Sequence, residues 1–382
     1  MAGPPVTAVP SIIFLVASAS RRAGGMFHSV RGLARACAAA GAEVRALALR
    51  DEFSDEDAAA WDPVPLELFP VLGPERFGWS PALKRRLDAL LAEGVPSVLS
   101  SHGLWMWTSA VAASAHAPRI VHPHGMLDGW ALRHRASRKR LAWRLYEERN
   151  LRGAAAIRAL NDSEAFAVVA ALPGATVRVL PNAVELSEPP ATIRGDVPER
   201  FLFLGRLHEK KGIRELIEAW SALRFPMPEL IIAGPDQGGC LASLQRDART
   251  YSVEDRVRFA GPVDGEAKEA LLRSVDAFVL PSRSEGMSMA VLEAAAHGVP
   301  LLLTEAVNMR EFFAIGGALN LGALPDAGEI AAGVERFRAM PQGERAAMAA
   351  NARALVSGRY RWDLIASDFL ELSARVASAE GA

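Results

Sequence analysis

The strongest constraint on the fold is a rhythm that repeats along the chain: a short apolar run, a turn, and then an amphipathic helix pattern. Apolar side chains at three- and four-residue spacing indicate helices, and short apolar runs bounded by turn residues indicate buried strands. Strands that alternate with helices form parallel sheets that are covered by helices on both faces. The pattern therefore predicts an α/β protein built from doubly wound sheets.

The rhythm comes in two series, which are separated by a segment of different composition. The stretch 184–200 holds three prolines and a glycine with few apolar residues, which is typical of a linker. At 382 residues, the chain is also longer than one ordinary core requires. Doubly wound sheets bind ligands at the carboxyl ends of their strands, so two facing domains predict a site in a central cleft. The predicted strands are Ile12–Ala17, Val44–Leu49, Ser97–Ser101, Arg119–His122, Ala155–Leu160 and Val177–Leu180, followed by Phe201–Leu204, Leu230–Ala233, Val257–Phe259, Ala277–Leu280 and Pro300–Leu303.

The composition narrows the class of protein. A formal net charge of -1 argues against a general nucleic-acid binder. Two cysteines, Cys37 and Cys240, give neither a disulfide framework nor a zinc site, which favours a reduced, cytoplasmic setting. The apolar run Ser11–Ser20 has no Lys or Arg before it, so we interpret it as a first buried strand and not as a signal peptide. No apolar stretch reaches about 18 residues, the length that suggests a membrane span.

A basic turn follows the first strand of the second series, within FLFLGRLHEKKGIRELIEAW. Arg206 lies at the end of the strand, and Lys211 lies near the predicted start of the next helix. Cations normally prefer the other end of a helix, so two of them here suggest that an anion binds with the help of free backbone N–H groups. We predict a phosphate site at Arg206 and Lys211, with a solvated basic turn as the alternative.

Two carboxylates eight positions apart stand in PSRSEGMSMAVLEAAAHGVP, a stretch that otherwise has the composition of a buried segment. Glu285 falls in the loop after a strand, and Glu293 falls inside the helix that follows it. Carboxylates suit sugar hydroxyls because they accept two hydrogen bonds, and each such charge-assisted bond contributes about 1.5–3 kcal/mol. The alternatives are a helix cap at Glu285 and a partly exposed helical glutamate at Glu293.

Weaker signals follow the strands of the first series. Gly24–Gly25 open a helix, so the backbone there can come close to a ligand, although the GxGxxG dinucleotide fingerprint is absent. His102 and His124 each follow an apolar strand, and His124 stands next to Gly125, which makes it the better candidate for a ligand contact. A structural role is the alternative for both histidines.

Two charged segments have plain alternatives. Asp55–Glu56–Asp57 fits the DxD pattern of metal-dependent sugar transferases, but no apolar strand directly precedes it, so we interpret it as a solvated surface run and expect no metal site. The segment Arg133–Arg152 holds eight Lys/Arg against two Glu, with Leu and aromatic residues interleaved. Such a segment is able to lie on an anionic bilayer or to meet an acidic acceptor. The alternative is a solvated helix.

Together, these motifs resemble the retaining GT-B glycosyltransferases of family 4, and the resemblance covers nearly the whole chain. Its most specific element is the E-x7-E pair, Glu285 and Glu293. GRLHEKKG resembles the family's phosphate element, VLPNAVE the stretch that closes its first domain, and AGGMFHSVRGLARACAAAGAEV its glycine loop and first helix. SHGLW, HPHGM and NDSEA also have counterparts, and the set is typical of members that act in bacterial surface polysaccharide assembly.

The resemblance implies two Rossmann-like domains facing a central cleft. Residues 1–186 would form the acceptor-side domain and residues 187–361 the domain that binds the nucleotide-sugar donor. A last helix at about 362–380 would pack back on the first domain. Peripheral contact of a cytoplasmic protein with the inner face of the membrane, through 133–152, is a further expectation.

The resemblance also implies roles for single residues. Arg206 and Lys211 would hold the diphosphate of a UDP- or GDP-linked donor, and Glu293 would bind the ribose hydroxyls. Glu285 would hold the transferred sugar, and His124 would line the sugar site. Further donor contacts would come from Gly25, Gly286, Met287 and Ser288.

The implied reaction is transfer of a sugar to a saccharide or lipid-linked saccharide with retention of anomeric configuration, without a metal or other cofactor. Ala183 and Glu185 stand where the family has Gly and Asp, and Ser288 and Met289 stand where Gly is frequent. These departures bear on the identity of the sugar more than on the class of reaction. A nucleotide-sugar epimerase of the same fold and an inactive partner subunit are the alternatives.

Overall fold

The computed structural model describes residues 10–133, 136–186, 195, 197–237 and 239–379. These residues form two compact α/β units. One unit runs to Ala183 and is completed by the segment from Trp362, and the other unit spans Val184–Arg361. Pro189 and Pro190 of the predicted linker lie outside the described residues.

A parallel sheet forms the centre of the first unit. From one edge to the other, the described strands lie in the order 3-2-1-4-5-6-7, numbered along the chain. This order is a doubly wound topology. Every strand predicted for this series is confirmed within two residues at either end. The strands are β1 (Ser11–Val16), β2 (Val44–Leu49), β3 (Leu66–Phe69), β4 (Ser97–His102), β5 (Arg119–His122), β6 (Ala156–Ala159) and β7 (Val177–Val179).

Strand β3 was not predicted, because its sequence LELF is short, carries a charge and lies between prolines. It lies at the edge of the sheet, where a strand is solvated on one side. There, Glu67 accepts hydrogen bonds from Arg45 and Arg86, so the charged side chain is satisfied without leaving the strand. Pairing with β2, and not local sequence, therefore determines this strand.

Helices cover both faces of the first sheet. The first of them, Gly25–Ala39, buries Phe27, Val30, Leu33 and Cys37, which recur at three- and four-residue spacing. The helices are α1 (Gly25–Ala39), α2 (Ser54–Asp57), α3 (Pro81–Ala92), α4 (Trp107–Ser114), α5 (Gly129–Arg133), α6 (Ala136–Ala142), α7 (Glu148–Arg152) and α8 (Asp162–Ala171), with a π-helical turn at Trp143–Glu147.

The second unit repeats this architecture with its own parallel sheet, in the order 10-9-8-11-12-13. Its predicted strands are confirmed, and Ala318–Asn320 is an additional short edge strand. The strands are β8 (Arg200–Leu204), β9 (Glu229–Ala233), β10 (Val257–Gly261), β11 (Ala277–Leu280), β12 (Leu301–Leu303) and β13 (Ala318–Asn320). The helices are α9 (Ile213–Ser221), α10 (Leu241–Thr250), α11 (Gly265–Arg273), α12 (Met289–Ala296), α13 (Arg310–Ala314), α14 (Ala327–Arg338) and α15 (Gln342–Arg359).

The last helix, α16 (Trp362–Ala379), packs on the first unit. It buries Ile365, Phe369 and Leu372 in the core beneath α1. At the contact, a Cβ on Gly32 of α1 would lie 2.2 Å from the ring of Trp362, so a glycine is required for this packing. The C-terminal segment is therefore part of the core of the first unit.

The prediction that Asp55–Glu56–Asp57 is a solvated run is wrong for Asp57. Its side chain is buried and accepts hydrogen bonds from the backbone N–H (2.7 Å) and the guanidinium of Arg21. This pairing satisfies the carboxylate, which is the condition for burying a charge. Asp55 and Glu56 are exposed, as expected.

Across the described residues, no helix combines the length and the apolar character needed to cross a bilayer.

Candidate functional site

A buried ion pair lies where β8 and β11 end. Lys211 Nζ is 2.6 Å from Glu285 Oε1, and Ser282 Oγ donates to the same oxygen at 2.6 Å. Burial by itself would raise the pKa of Glu285, but the charges of Lys211 and Lys210 and the two hydrogen bonds lower it to about 2. The carboxylate is therefore ionised at neutral pH and has one oxygen fully engaged.

The turn that carries Lys211 differs from its prediction in one detail. The chain forms a short 3-10 turn at Glu209–Lys211, and α9 begins only at Ile213. Gly212 separates them with φ +66°, a left-handed conformation that favours glycine. A Cβ at this position would lie 2.0 Å from the carbonyl oxygen of Pro281, so the turn also needs glycine for space.

Direct contacts hold this turn against the loop that carries Glu285. The backbone N–H of Arg283 donates to the carbonyl of Lys210 at 2.7 Å. The backbone N–H of Glu285 donates to Ala306, and Asn308 Nδ2 donates to the carbonyl of Glu285. These three contacts fix the backbone of the loop that carries the Glu285 carboxylate.

Arg206 lies at the end of β8 on the same edge of the sheet. Its guanidinium is partly exposed and donates to Gln237 Oε1. Partial burial lowers the pKa of Arg206, and the charge of Glu285 raises it. Because arginine stays protonated in proteins, the site carries a second permanent cation.

Glu293 lies inside α12, as predicted, and forms an ion pair that the sequence did not indicate. Lys268 Nζ on α11 is 2.8 Å from Glu293 Oε1, with both side chains largely buried. The two residues are 25 positions apart on different helices, so the pair arises only from tertiary packing. Between Glu285 and Glu293, the loop leads into the start of α12 through Gly286, buried Met287 and buried Ser288.

In the first unit, Gly25 is exposed and opens α1, which is the first α-helix after β1. Gly24 precedes it with φ +59°. The first turn of α1 thus directs backbone N–H groups toward the carboxyl end of the sheet, the end at which doubly wound sheets bind ligands.

Three histidines cluster at that same end of the first sheet. His102 and His122 are buried and their rings stack at 4.0 Å, while His124 is partly exposed. His102 Nδ1 lies 3.0 Å from His124 Nε2. Burial, followed by the charge of Arg158, lowers the pKa of His124 to about 3, so its ring is neutral at neutral pH.

Glu164 and Arg158 support this cluster, and neither was among the predicted site residues. Glu164, in the NDSEA motif, accepts hydrogen bonds from the backbone N–H groups of Gly125 and Leu160, and so holds the loop after β5. His124 in that loop has φ +52°. Arg158 is buried and donates to the carbonyls of Leu180 and Pro181, which explains the VLPNAVE motif as a structural element. The available signals were an arginine inside the predicted strand Ala155–Leu160 and a glutamate in the NDSEA motif.

The structure thus assembles the predicted residues in two groups. Arg206, Lys211, Glu285 and Glu293 lie on the second unit, and Gly25 and His124 lie on the first. Within the described ranges, no group of three His, Cys, Asp or Glu side chains is arranged to hold a metal ion.

Two doubly wound, parallel-sheet α/β units are the architecture of the GT-B fold, and solved structures share it. Sucrose-phosphate synthase from Thermosynechococcus elongatus is 21% identical, with a TM-score of 0.77 over 97% of this chain and 100% of that one. HepE of Anabaena, in complex with UDP-glucose, is 18% identical, with a TM-score of 0.77 over 95% of this chain and 98% of that one. At these identities, the likeness shows the fold.

Family models then give the family. The model described as Glycosyltransferase Family 4 matches residues 23–188, and the model described as Glycosyl transferases group 1 matches residues 189–355. The two matches lie end to end and together cover most of the chain, so the chain carries both glycosyltransferase domains.

Glycogen synthase from Mycobacterium tuberculosis is 30% identical over 197 residues, or 50% of this chain and 47% of that protein. The chain thus spans about half of the length of the curated relatives that it matches, or a smaller share.

Proposed function

We propose that this protein transfers a sugar from a nucleotide-diphosphate donor to a hydroxyl of a saccharide or lipid-linked saccharide. The observation that carries the proposal is the buried cluster of Lys211, Glu285 and Ser282, with Arg206 on the same sheet edge. A cluster of this kind offers cations for a diphosphate and a charged acceptor for sugar hydroxyls. HepE, which shares the fold, was solved with UDP-glucose bound.

In the proposed reaction, the bond between the anomeric carbon and the phosphate oxygen breaks, and a bond from that carbon to the acceptor oxygen forms. The acceptor proton passes to an oxygen of the leaving diphosphate. Negative charge therefore grows on the phosphate, where Arg206 and Lys211 oppose it without a metal or other cofactor. Removing one preorganised group of this kind lowers the reaction rate about 10²–10³-fold. The leaving group departs from the same face that the acceptor attacks, which gives retention.

The two glutamates bind different parts of the donor in this proposal. Glu285 is ionised and fixed, so its free lone pairs accept hydrogen bonds from the transferred sugar. Glu293 binds the ribose hydroxyls, and Lys268 orients its carboxylate. Backbone groups of Gly286, Met287 and Ser288 supply further donor contacts, and the N–H groups at Gly25 are an additional proposed donor contact.

Thermal unfolding with UDP, GDP, ADP and TDP, each with and without Mg²⁺, tests the donor site. A nucleotide at 100 times its dissociation constant should add about 2.7 kcal/mol to the native state. We expect one nucleotide to stabilise the protein without metal. No response to any of the four would favour the inactive partner subunit. Incubation of the sugar donor with and without acceptor then separates transfer from epimerisation, because only an epimerase forms product alone.

Glu293→Ala is expected to weaken binding of the nucleotide diphosphate about 10-fold or more, because charge-assisted hydrogen bonds to the ribose are lost. Calorimetric titration measures this change. Glu254→Ala, at an exposed position in the same unit, is the control and should leave the affinity unchanged. An unchanged affinity for Glu293→Ala would contradict the ribose role.

We also propose that the first unit contacts anionic lipid at the inner face of the cytoplasmic membrane. Arg138, Leu141, Arg144 and Leu145 are exposed at three- and four-residue spacing on α6 and the π-helical turn, with Leu141 60% and Leu145 68% exposed. The opposite side packs inward through buried Tyr146. We name these four residues the basic face. His134 and Arg135 of the predicted segment lie outside the described residues.

Neutralising the basic face is expected to release the protein from anionic vesicles. Each arginine near such a surface contributes about 1 kcal/mol, so Arg138→Gln with Arg144→Gln should lower the partition coefficient about 30-fold. Flotation with vesicles of phosphatidylglycerol in phosphatidylcholine measures it, and pure phosphatidylcholine should bind neither protein. Phe166→Ser removes an exposed apolar side chain, 77% exposed, outside the face and serves as the control. Equal flotation of the double variant and the parent would refute the lipid contact.

A further inference from the structure

A continuous line of hydrogen bonds connects a buried arginine to the partly exposed His124. Arg158 Nη1 lies 3.4 Å from His122 Nδ1, and His122 Nε2 lies 2.9 Å from Ser100 Oγ. The same hydroxyl lies 2.9 Å from His102 Nε2, and His102 Nδ1 lies 3.0 Å from His124 Nε2. Every link in this line joins two side chains of the first unit.

The permanent charge of Arg158 fixes the direction of every bond in the line. A guanidinium only donates, so His122 Nδ1 must accept and its proton must be on Nε2. That proton is donated to Ser100, whose single hydroxyl proton is then donated to His102 Nε2. His102 therefore carries its proton on Nδ1 and donates it to His124 Nε2. These tautomers follow from the hydrogen-bond network, and the reverse direction would place two protons between Arg158 and His122.

The end of the line leaves His124 in one defined state. Because Nε2 accepts, the neutral ring carries its proton on Nδ1. Among the described residues, His124 forms its side-chain hydrogen bond through Nε2, and its Nδ1–H has no protein acceptor. Burial and the charge of Arg158 lower the pKa of all three histidines, which keeps the rings neutral.

The protein encloses the line against water. Ser100 and His102 are two positions apart, so they lie on the same face of β4. His122 of β5 pairs with His102 and lies on the same face of the sheet. The ring of Phe14 stacks on that of His102 with 5.3 Å between the ring centroids. The ring centroid of Phe369, in the last helix, lies 5.6 Å from that of His122. Water that could exchange partners with these polar groups is thereby excluded, and the order of donors and acceptors persists.

We propose that Arg158 is a positioning residue that sets the tautomer of His124, so that His124 presents its Nδ1–H to an acceptor oxygen of the bound sugar. In this role His124 is a hydrogen-bond donor and not a general base. The tautomer is a property of the free protein. The sugar contact rests on the proposed function.

The tautomers are measurable in the free protein by long-range ¹H–¹⁵N NMR of ¹⁵N-histidine-labelled protein, with resonances assigned by single His→Gln variants. We expect His122 to be protonated on Nε2, and His102 and His124 on Nδ1, which is the minor form of an unconstrained imidazole. Protonation of His124 on Nε2 would overturn the proposal, whatever the activity of the protein.

Ser100→Ala tests the relay itself. The substitution breaks the line between His122 and His102, so we expect His102 and His124 to become mixtures of tautomers while His122 keeps its proton on Nε2. Ser101→Ala is the matched control, because Ser101 is an adjacent buried serine on the opposite face of β4 and its hydroxyl has no hydrogen-bond partner within the described structure. An identical spectrum for Ser100→Ala and the parent would refute the relay.

Substitutions at His124 test the sugar contact. Asparagine places an N–H donor near the position of Nδ1 and tolerates a positive φ, whereas glutamine places its amide nearer to Nε2. We expect His124→Asn to retain kcat/KM within a few-fold, and His124→Gln and His124→Ala to lose about 5- to 30-fold, with unchanged affinity for the nucleotide diphosphate. Equal loss in all three would remove the donor role. If no nucleotide binds the parent protein, the proposed function fails and the NMR result still decides the tautomer.

Discussion

Lys211→Met is expected to reduce sugar transfer about 10²–10³-fold and to destabilise the protein by about 3–5 kcal/mol at pH 7. The rate loss follows because, in the proposed reaction, Lys211 is one of two cations that oppose the charge on the leaving phosphate. The stability loss follows because Glu285, 8% exposed at its side chain, is left as a buried charge without its partner. Methionine fills the volume of the lysine stem, so the effect reports on charge.

The pH dependence of stability gives this prediction its signature. In the parent, the pKa of Glu285 falls from 4.5 unfolded to about 2 folded, so its contribution is present above pH 4.5 and is lost as pH falls toward 2. That contribution is about 3 kcal/mol. In Lys211→Met, burial raises the pKa of Glu285, so protonation relieves the buried charge. The stability difference between the two proteins should therefore shrink as pH falls. Chemical denaturation at pH 7, 5 and 4 measures the difference.

The double variant Lys211→Met with Glu285→Gln separates folding from function. Removing both charges should restore much of the stability lost by Lys211→Met, because no unpaired charge remains. It should not restore transfer. A double variant that regains transfer would show that neither group takes part in the reaction, and additive losses of stability would show that the two side chains do not interact.

Gly212→Ala is expected to lower the affinity for nucleotide diphosphate more than 10-fold and to destabilise the second unit by more than about 2 kcal/mol. The left-handed conformation at φ +66° costs an L-residue about 1–2 kcal/mol. A Cβ placed 2.0 Å from the carbonyl oxygen of Pro281 forces the turn away from the end of β11 as well. Because that turn carries Lys211, the displacement also separates the lysine from Glu285. Calorimetric titration and thermal unfolding measure the two effects.

Gly261→Ala distinguishes the two causes. Gly261 has a similar φ of +71°, but a Cβ there meets no atom within 4 Å. This variant should lose only the conformational cost, with nucleotide affinity unchanged. If Gly212→Ala behaves like Gly261→Ala, then close packing against Pro281 does not position Lys211, and the turn tolerates a side chain.

Much of the candidate site in the second unit was predictable because its residues stand close together in two short motifs. The local order of strand, basic turn and helix places Arg206 and Lys211 at one sheet edge, independently of distant parts of the chain. The helical pattern after Glu285 likewise places Glu293 one turn inside the helix. Local sequence did not predict contacts between residues that are distant in the chain. Examples are the pairing of Lys268 with Glu293 and the pairing of Arg21 with buried Asp57.

By itself, the sequence determined the two series of strands and helices, the break near residue 184 and the position of the charged motifs. These depend on periodicity and on glycine and proline, whose preferences act within a few residues. The tertiary structure decided which charges are neutralised, which edge strands form and which proton each histidine carries. Those outcomes depend on burial and on hydrogen-bond partners that only folding brings together. Arg158, 36 residues beyond His122 in the chain, is the clearest case, because the direction of the whole line to His124 follows from its contact.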